Sequence, residues 1–191
     1  MRLRILYIPG LGDHYDVVRR LGLLTWRRDG VGVELVPMRW HDATESFGQK
    51  LDRIKTIIDA DKSPVVLVGE SAGGAMVIKA TNEFQDHVVA TITLCGMNHG
   101  AKNVNARIYD RNPAFHQAMK AADRVVATMD EQAKRKTLII YSSQDHTVRP
   151  TNTLVSGVQS YDLRTPGHLT SIMLALKLRS ELVYSFIASL P

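Results

Sequence analysis

The sequence contains a single cysteine, Cys95, among its 191 residues. One cysteine cannot form a disulfide within the chain, so the sequence is not that of a small secreted scaffold held by disulfides. No apolar run approaches the roughly 20 residues that a membrane-spanning helix needs. The apolar stretch near the start, Leu3–Ile8, is also too short for the core of a signal peptide. These absences predict a soluble protein of the cytoplasm.

The chain has few aromatic residues, 6% of the total, although it carries a net charge of +5. Its lysines and arginines are scattered, and no basic stripe with interleaved aromatic residues is present. Such a stripe is the usual mark of a nucleic-acid-binding surface, so no nucleic-acid partner is expected. The positive charge is equally compatible with solubility alone.

Motifs for metals and cofactors are missing as well. The histidines lack the spacing of zinc ligands, and the chain has no carboxylate–glycine calcium loop. Gly10 and Gly12 follow the first apolar run, but the third glycine of a dinucleotide fingerprint is absent, and no phosphate-binding Gly-Lys-Ser/Thr follows. We therefore expect no metal and no cofactor.

Strand-like and helix-like segments alternate along the whole chain. This order predicts an α/β fold of three layers, with helices on both faces of a mostly parallel sheet of about six strands, in one domain over residues 1–191. The strand candidates are Leu3–Ile8, Val33–Pro37, Val65–Val68, Val88–Leu94, Leu138–Ser142 and Ser160–Leu163. The helix candidates are Leu21–Arg28, Ala43–Ala60, Ala72–Phe84, Phe115–Ala133 and Leu169–Leu190.

The segment Gly69–Gly73 reads Gly-Glu-Ser-Ala-Gly and lies between an apolar strand and a predicted helix. A serine in this strand–turn–helix context is the nucleophile elbow. The turn is so sharp that a side chain on either flank would clash with its neighbours, and the glycines remove the clash. Ser71 is therefore predicted to be a nucleophile, the alternative being a serine that only caps the helix.

A serine nucleophile needs a base to take its proton and an acid to orient that base. In a parallel sheet both come from loops after later strands, in the chain order serine, acid, base. Asp145 follows the strand Leu138–Ser142, and His168 follows the short strand Ser160–Leu163 on a Pro-Gly turn. We predict Asp145 as the acid and His168 as the base. The alternatives are a turn residue at 145, a helix cap at 168, and Asp162 as the acid.

Acyl transfer also requires donors for the oxyanion. The backbone N–H of the residue after the nucleophile, here Ala72, commonly supplies one. The turn Pro9–Gly12, after the first strand, is placed to supply the other through the N–H of Leu11. The alternative for this turn is an ordinary connection between a strand and a helix.

Candidate substrate contacts are His14, Met97 and His99, each of which follows a strand end. The connection from 96 to 113 is long, polar and without clear periodicity, and such connections often carry function. Its basic residues suit either an anionic substrate or a solvated loop. His146 is interpreted as a solvated loop residue.

These motifs together resemble those of the α/β-hydrolases. The resemblance covers nearly the whole chain and is strongest in Gly69–Gly74, in Ile8–Gly12 and in the acid loop Asp145–Pro150. One departure is the early turn, which usually reads His-Gly in that family and reads Pro-Gly here. The chain is similar to the small serine hydrolases and minimal lipases that lack a cap domain.

The resemblance implies a triad of Ser71, Asp145 and His168, with Leu11 and Ala72 as oxyanion donors. It implies a serine hydrolase that acts on a small-molecule carboxylic ester through an acyl-enzyme. A thioesterase, an amidase or a lipase using the same triad remains open. A non-catalytic interaction module is the alternative from another class, because a fold alone does not fix function. The sequence leaves the oligomeric state open.

Overall fold

The apolar runs of the sequence form one six-stranded sheet in the computed structural model, which describes residues 2–190. The strand order is β2-β1-β3-β4-β5-β6, and every neighbouring pair is parallel. The strands are β1 (Leu3–Ile8), β2 (Val31–Leu35), β3 (Val65–Glu70), β4 (Val88–Leu94), β5 (Thr137–Tyr141) and β6 (Gln159–Asp162). The predicted sheet is confirmed, and it is parallel throughout rather than mostly so.

Helices cover both faces of this sheet. They are α1 (Asp16–Leu23), α2 (Phe47–Asp59), α3 (Gly73–Glu83), α4 (Ala106–Arg111), α5 (Pro113–Ala127), α6 (Glu131–Arg135), α7 (Pro150–Thr153), α8 (His168–Leu178) and α9 (Ser180–Ser189). Short 3-10 helices occur at Asp13–Tyr15, Leu24–Trp26 and Ala101–Asn103. None of the helices between residues 2 and 190 has both the length and the apolar character that crossing a membrane requires.

Successive residues of the central strands face two separate cores, as the period of a strand requires. In β1, Leu6 and Ile8 belong to the core under α2, α3 and α5, whereas Ile5 and Tyr7 belong to the core under α1, α8 and α9. Every residue of β3 is buried. The chain therefore has three layers, and β3 delivers its last residues to the middle of the sheet edge.

Four helix predictions were wrong in their bounds. The helix predicted over 43–60 begins only at Phe47, after the N-cap Ser46. The first helix begins at Asp16 instead of Leu21, because Val17 and Leu21 face solvent and hide the usual apolar period. The helix predicted over 115–133 ends at Ala127, and Asp130 then caps α6 by accepting the N–H of Ala133 at 2.7 Å. The last helix breaks at Arg179, between α8 and α9.

The connection from 96 to 113 is not structureless, which corrects the expectation from its sequence. It contains the 3-10 helix Ala101–Asn103 and helix α4. Asn105 starts α4 by accepting the N–H of Arg107 at 2.9 Å. Elements this short do not show a period in the sequence. No separate cap domain occurs within residues 2–190, and Ile108 of α4 lines the cleft described below.

The capping box at the start of α2 makes a stability prediction. Ser46 accepts the N–H of Gln49 at 3.2 Å, and the Gln49 side chain accepts the N–H of Ser46 at 2.8 Å. We expect Ser46→Ala to lower the free energy of unfolding by about 1 kcal/mol, because a helix N–H loses its acceptor. Urea denaturation measures this. Thr56→Ala on the exposed face of the same helix is the control and should change it by less than about 0.5 kcal/mol.

Candidate active site

The turn between β3 and α3 holds Ser71 in an unusual backbone conformation. Its φ is 49°, in the left-handed region that side chains other than glycine rarely adopt. The Ser71 N–H donates to the carbonyl oxygen of Leu94 at 3.1 Å, and its own carbonyl accepts the N–H groups of Gly74 and Met97. A Cβ at Gly73 would collide with the carbonyl oxygen of Ile8. The sharp turn thus depends on glycine and on bonds from β4.

Ser71, His168 and Asp145 form one continuous chain of hydrogen bonds, although each follows a different strand. The distance from Ser71 Oγ to His168 Nε2 is 2.9 Å, and that from His168 Nδ1 to Asp145 Oδ2 is 2.6 Å. Asp162 lies outside this chain, since its Oδ1 accepts the N–H groups of Ser143 and Arg164. Of the two candidate acids, Asp145 is the one in contact with the imidazole.

The surroundings of Asp145 favour its ionised form. Burial by itself would raise the pKa of this carboxyl, but hydrogen bonds from His168 and from the N–H groups of Thr147 and Val148 lower it below the ordinary 3.8. An ionised carboxylate only accepts hydrogen bonds, so His168 Nδ1 carries the proton. In the neutral imidazole, Nε2 is then an acceptor for the Ser71 hydroxyl.

The two candidate oxyanion donors lie beside Ser71. Leu11 and Ala72 line the same cleft as the serine. In the part of the chain from 2 to 190, no backbone or side-chain acceptor is bonded to the N–H of either residue. Ala72 also immediately precedes α3, where backbone N–H groups are free and the helix dipole favours negative charge.

The cleft above Ser71 has a volume of about 630 Å³. The apolar part of its lining includes Met97, Val104, Ile108, Phe115 and Val148. The polar part comes mainly from the acid loop and α7. Its residues are His146, Thr147, Arg149, Thr151 and Asn152, with Asn103 and Asn105 at the 3-10 helix and α4.

Solved structures resemble this fold over nearly the whole chain. One is a pyrethroid hydrolase from Sphingobium faniae JZ-2, with a TM-score of 0.69 and 14% identity over 99% of this chain and 98% of that chain. Another, from the study of the metagenome-derived lipolytic enzymes LipS and LipT, has a TM-score of 0.70 and 15% identity over 98% and 94%. A third is MGS-MChE2, an α/β-hydrolase enzyme from the metagenome of Mar Chica lagoon sediments in Morocco, with 0.67 and 19% over 98% and 91%.

The chain has the α/β-hydrolase fold. The predicted fold is therefore confirmed. No protein-family model matches the sequence, and no curated protein matches it. At identities of this size the structural likeness establishes the fold, whereas function has to be argued from the residues of the site.

Of the three predicted substrate contacts, only Met97 lines the cleft of this α/β-hydrolase fold. His14 is exposed and its ring lies 4.0 Å from that of Tyr15. His99 Nε2 lies 2.8 Å from the carbonyl oxygen of Leu154, which ties the connection after β4 to the end of α7. His146 is exposed in the loop after β5, as its interpretation as a solvated loop residue expects, and it also lines the cleft. Its position next to Asp145 was the available signal.

One group of side chains within residues 2–190 has the composition of a metal site: Cys95, Asp145 and His168, whose ligand atoms lie within 4.8 Å of one another. Burial, with the nearby charges of Asp145 and Glu70, raises the pKa of the Cys95 thiol to about 12. The thiol therefore remains protonated at neutral pH, whereas a metal requires the thiolate. A bound ion would also break the bond between Asp145 and His168. The absence of a metal remains a prediction.

The lowered pKa of Asp145 predicts a pH-dependent stability. Its ionised form stabilises the fold above the unfolded pKa, and this contribution is lost as the pH falls through the lower folded pKa. We expect the wild-type unfolding free energy to fall more steeply below about pH 4 than that of Asp145→Asn. Denaturation of both proteins across acidic pH measures the difference. Parallel curves would show that folding leaves this pKa unchanged.

Proposed function

We propose that this chain is a serine hydrolase that cleaves carboxylic esters. The observation that carries the proposal is the hydrogen-bonded chain Asp145–His168–Ser71, which ends at a cleft beside two free backbone N–H groups. Each of the three side chains has a partner of the type that acyl transfer needs, and their order along the chain is that of the α/β-hydrolases. The lipolytic enzymes and the pyrethroid hydrolase among the structural neighbours support the same reaction class.

In the proposed first half-reaction, His168 Nε2 takes the hydroxyl proton of Ser71 while Oγ forms a bond to the carbonyl carbon. The carbonyl oxygen becomes an oxyanion, and the N–H groups of Leu11 and Ala72 hold it. The imidazolium then gives its proton to the leaving alcohol as the C–O bond breaks. Asp145 stabilises the imidazolium and keeps Nδ1 protonated.

In the second half-reaction, water replaces the alcohol. His168 removes a proton from the water as it attacks the acyl carbon, and then returns the proton to Ser71 Oγ as the acid leaves. Every proton in this cycle moves among Ser71, His168, the substrate and water. The proposed mechanism therefore requires no metal and no cofactor.

The cleft is open and unequal in polarity, which suits an ester with an apolar acyl chain. We assign the acyl chain to Val104, Ile108 and Phe115, which we call the apolar wall, and the alcohol part to the polar residues of the lining. A thioester or an amide would meet the same nucleophile, and a lipase would use the same wall. A small-molecule ester remains the proposed substrate, and the cytoplasm remains the proposed location.

The first test of this proposal removes the nucleophile. Ser71→Ala should reduce hydrolysis of p-nitrophenyl butyrate by about 10⁴-fold or more, because the acyl-enzyme can no longer form. Far-UV circular dichroism and thermal unfolding should stay those of the folded protein. Ser63→Ala, a half-buried serine in the loop before β3, is the control and should keep full activity. Undiminished hydrolysis by Ser71→Ala would place the activity elsewhere.

A fluorophosphonate probe separates the enzyme from a non-catalytic module on the same fold. We expect intact-mass analysis to show one adduct per chain, and peptide mapping to locate it at Ser71. The adduct should be missing in His168→Ala, because the serine then lacks its base. A wild-type protein that stays unlabelled and hydrolyses no ester or thioester of any acyl length would support the interaction module instead.

The apolar wall predicts a change in chain-length preference. Ile108 is 40% exposed in the cleft, so Ile108→Trp should occupy space that a longer acyl chain needs. We expect kcat/KM for p-nitrophenyl octanoate to fall at least about tenfold and that for the acetate to change less than about threefold. Leu178→Trp, on the exposed end of α8, is the control. Equal losses on both esters would contradict an acyl-binding role for this wall.

A further inference from the structure

A buried arginine connects the two turns that form the proposed oxyanion site. Arg19 belongs to α1 and is 4% exposed. Its Nε donates to Glu70 Oε2 at 2.9 Å and its Nη2 to Glu70 Oε1 at 2.6 Å, which is a bidentate pair. Burial by itself would lower the pKa of Arg19, but the hydrogen bonds and charge of Glu70 raise it above its ordinary value. The guanidinium therefore stays charged beside the residue that precedes Ser71.

The same guanidinium also holds the turn after β1. Its Nη1 donates to the carbonyl oxygen of Gly12 at 2.8 Å, and its Nη2 lies 3.3 Å from that of Leu11. A Cβ at Gly10 would lie 2.6 Å from Ser71 Cβ, so this turn rests directly on the nucleophile. One planar group thus fixes the carbonyl side of the turn, whereas the N–H of Leu11, a residue that lines the cleft, has no acceptor among residues 2–190.

The remaining contacts fix the guanidinium itself. Asp16 Oδ1 accepts from Nη1 at 2.9 Å, and the hydroxyl of Tyr7 donates to Glu70 Oε2. Burial and the charge of Glu70 raise the pKa of Tyr7 well above its ordinary value, so the hydroxyl keeps its proton and remains a donor. Glu70, Asp16 and two carbonyl oxygens surround Arg19 with acceptors. A lysine at this position could not reach all of them, because its single ammonium lacks the spread N–H donors of a guanidinium.

We propose that Arg19 is a positioning residue for the oxyanion site: it holds the Leu11–Gly12 carbonyls so that the Leu11 N–H faces Ser71. This role rests on the proposed function, since an oxyanion site has meaning only for acyl transfer. Glu70 links the position of Arg19 to the nucleophile, because Glu70 and Ser71 are adjacent in the elbow. Arg19 acts through the backbone of the turn and does not touch the substrate.

The central experiment replaces Arg19 by lysine, which keeps the charge and loses the fork. We expect kcat for p-nitrophenyl butyrate to fall at least about tenfold and KM to stay within about threefold, because the donor acts in the transition state. The affinity for phenylboronic acid, whose tetrahedral adduct on Ser71 places an oxygen at the same donors, should fall by the same factor as kcat/KM. A rise in KM as large as the fall in kcat, or an unchanged affinity for the boronate, would overturn the role of Arg19.

A matched control is Lys50→Arg. Lys50 is also fully buried and donates to backbone carbonyls, those of Met38 and Arg39, but it contacts neither the turn nor Glu70. Loss of fold stability alone should therefore affect both variants, whereas the fall in kcat and in boronate affinity should occur only in Arg19→Lys. Equal losses of kcat and boronate affinity in the two variants would show that Arg19 has only a structural role.

If Arg19→Lys does not fold, the double variant Arg19→Gln/Glu70→Gln replaces it, since it removes both buried charges together. The same fall in kcat is expected there, and wild-type kcat would overturn the proposal. Hydrogen exchange adds a readout that needs no catalysis. The N–H of Tyr15 donates to the Gly12 carbonyl at 3.0 Å, and its exchange should become about tenfold faster while that of β3 is unchanged.

These measurements keep the two proposals apart. A wild-type protein that neither hydrolyses the ester nor binds the boronate contradicts the serine-hydrolase function, and with it the oxyanion role. A wild-type protein that does both, with an Arg19→Lys variant equal to it in kcat and in Tyr15 exchange, contradicts only the role of Arg19.

Discussion

The site depends on the left-handed backbone at Ser71. A non-glycine residue in this region costs about 1–3 kcal/mol and persists only when its surroundings fix it. In this protein, hydrogen bonds with Leu94 of β4 and with Met97 after it hold the backbone of Ser71. The close approach of Gly73 to the end of β1 restricts it further. The conformation turns the chain from strand to helix within two residues. It therefore sets, together, the exposure of Oγ, the free N–H of Ala72 and the start of α3.

Two buried carboxylates lie near this serine, and their partners separate their tasks. Asp145 receives the imidazole and two loop N–H groups, so its charge is directed at His168. Glu70 receives the guanidinium of Arg19 and the hydroxyl of Tyr7, so its charge is compensated inside the protein. An uncompensated carboxylate at position 70 would oppose an oxyanion that forms a residue away. The arginine is thus an electrostatic requirement of a glutamate in the elbow.

The sequence predicted the parts of the fold that local pattern controls. The apolar runs predicted six strands, and the elbow motif with chain order predicted which acid and base would meet Ser71, a pairing that the structure brings into contact. Patterns failed where no period exists. Helix α4 is too short to show one, and the exposed apolar face of α1 shifted its predicted start by five residues.

Arg19 shows why the rest of the site could not be predicted from the sequence. It lies 51 residues before Glu70, and nothing local marks either residue as buried or paired. Arginine and glutamate are usually exposed, so the default interpretation places both on the surface. Only the strand order, which sets β1 beside β3, brings the turn of one against the elbow of the other. His99 illustrates the converse, because its strand-end position suggested the cleft and its ring instead binds the Leu154 carbonyl.

The central sheet determines only part of the cleft lining. The part of the lining around the nucleophile consists of Ser71, Leu11 and Ala72, which follow the ends of β1 and β3. Most of the remaining lining comes from the segment 103–108 and from the acid loop with α7, which are connections between sheet elements. A carbonyl held between Oγ and two N–H groups has one orientation, so its two substituents would point to different parts of the cleft lining. Because the lining contains both apolar and polar residues, we expect it to select the substrate, while Ser71 and the two N–H groups determine the proposed reaction.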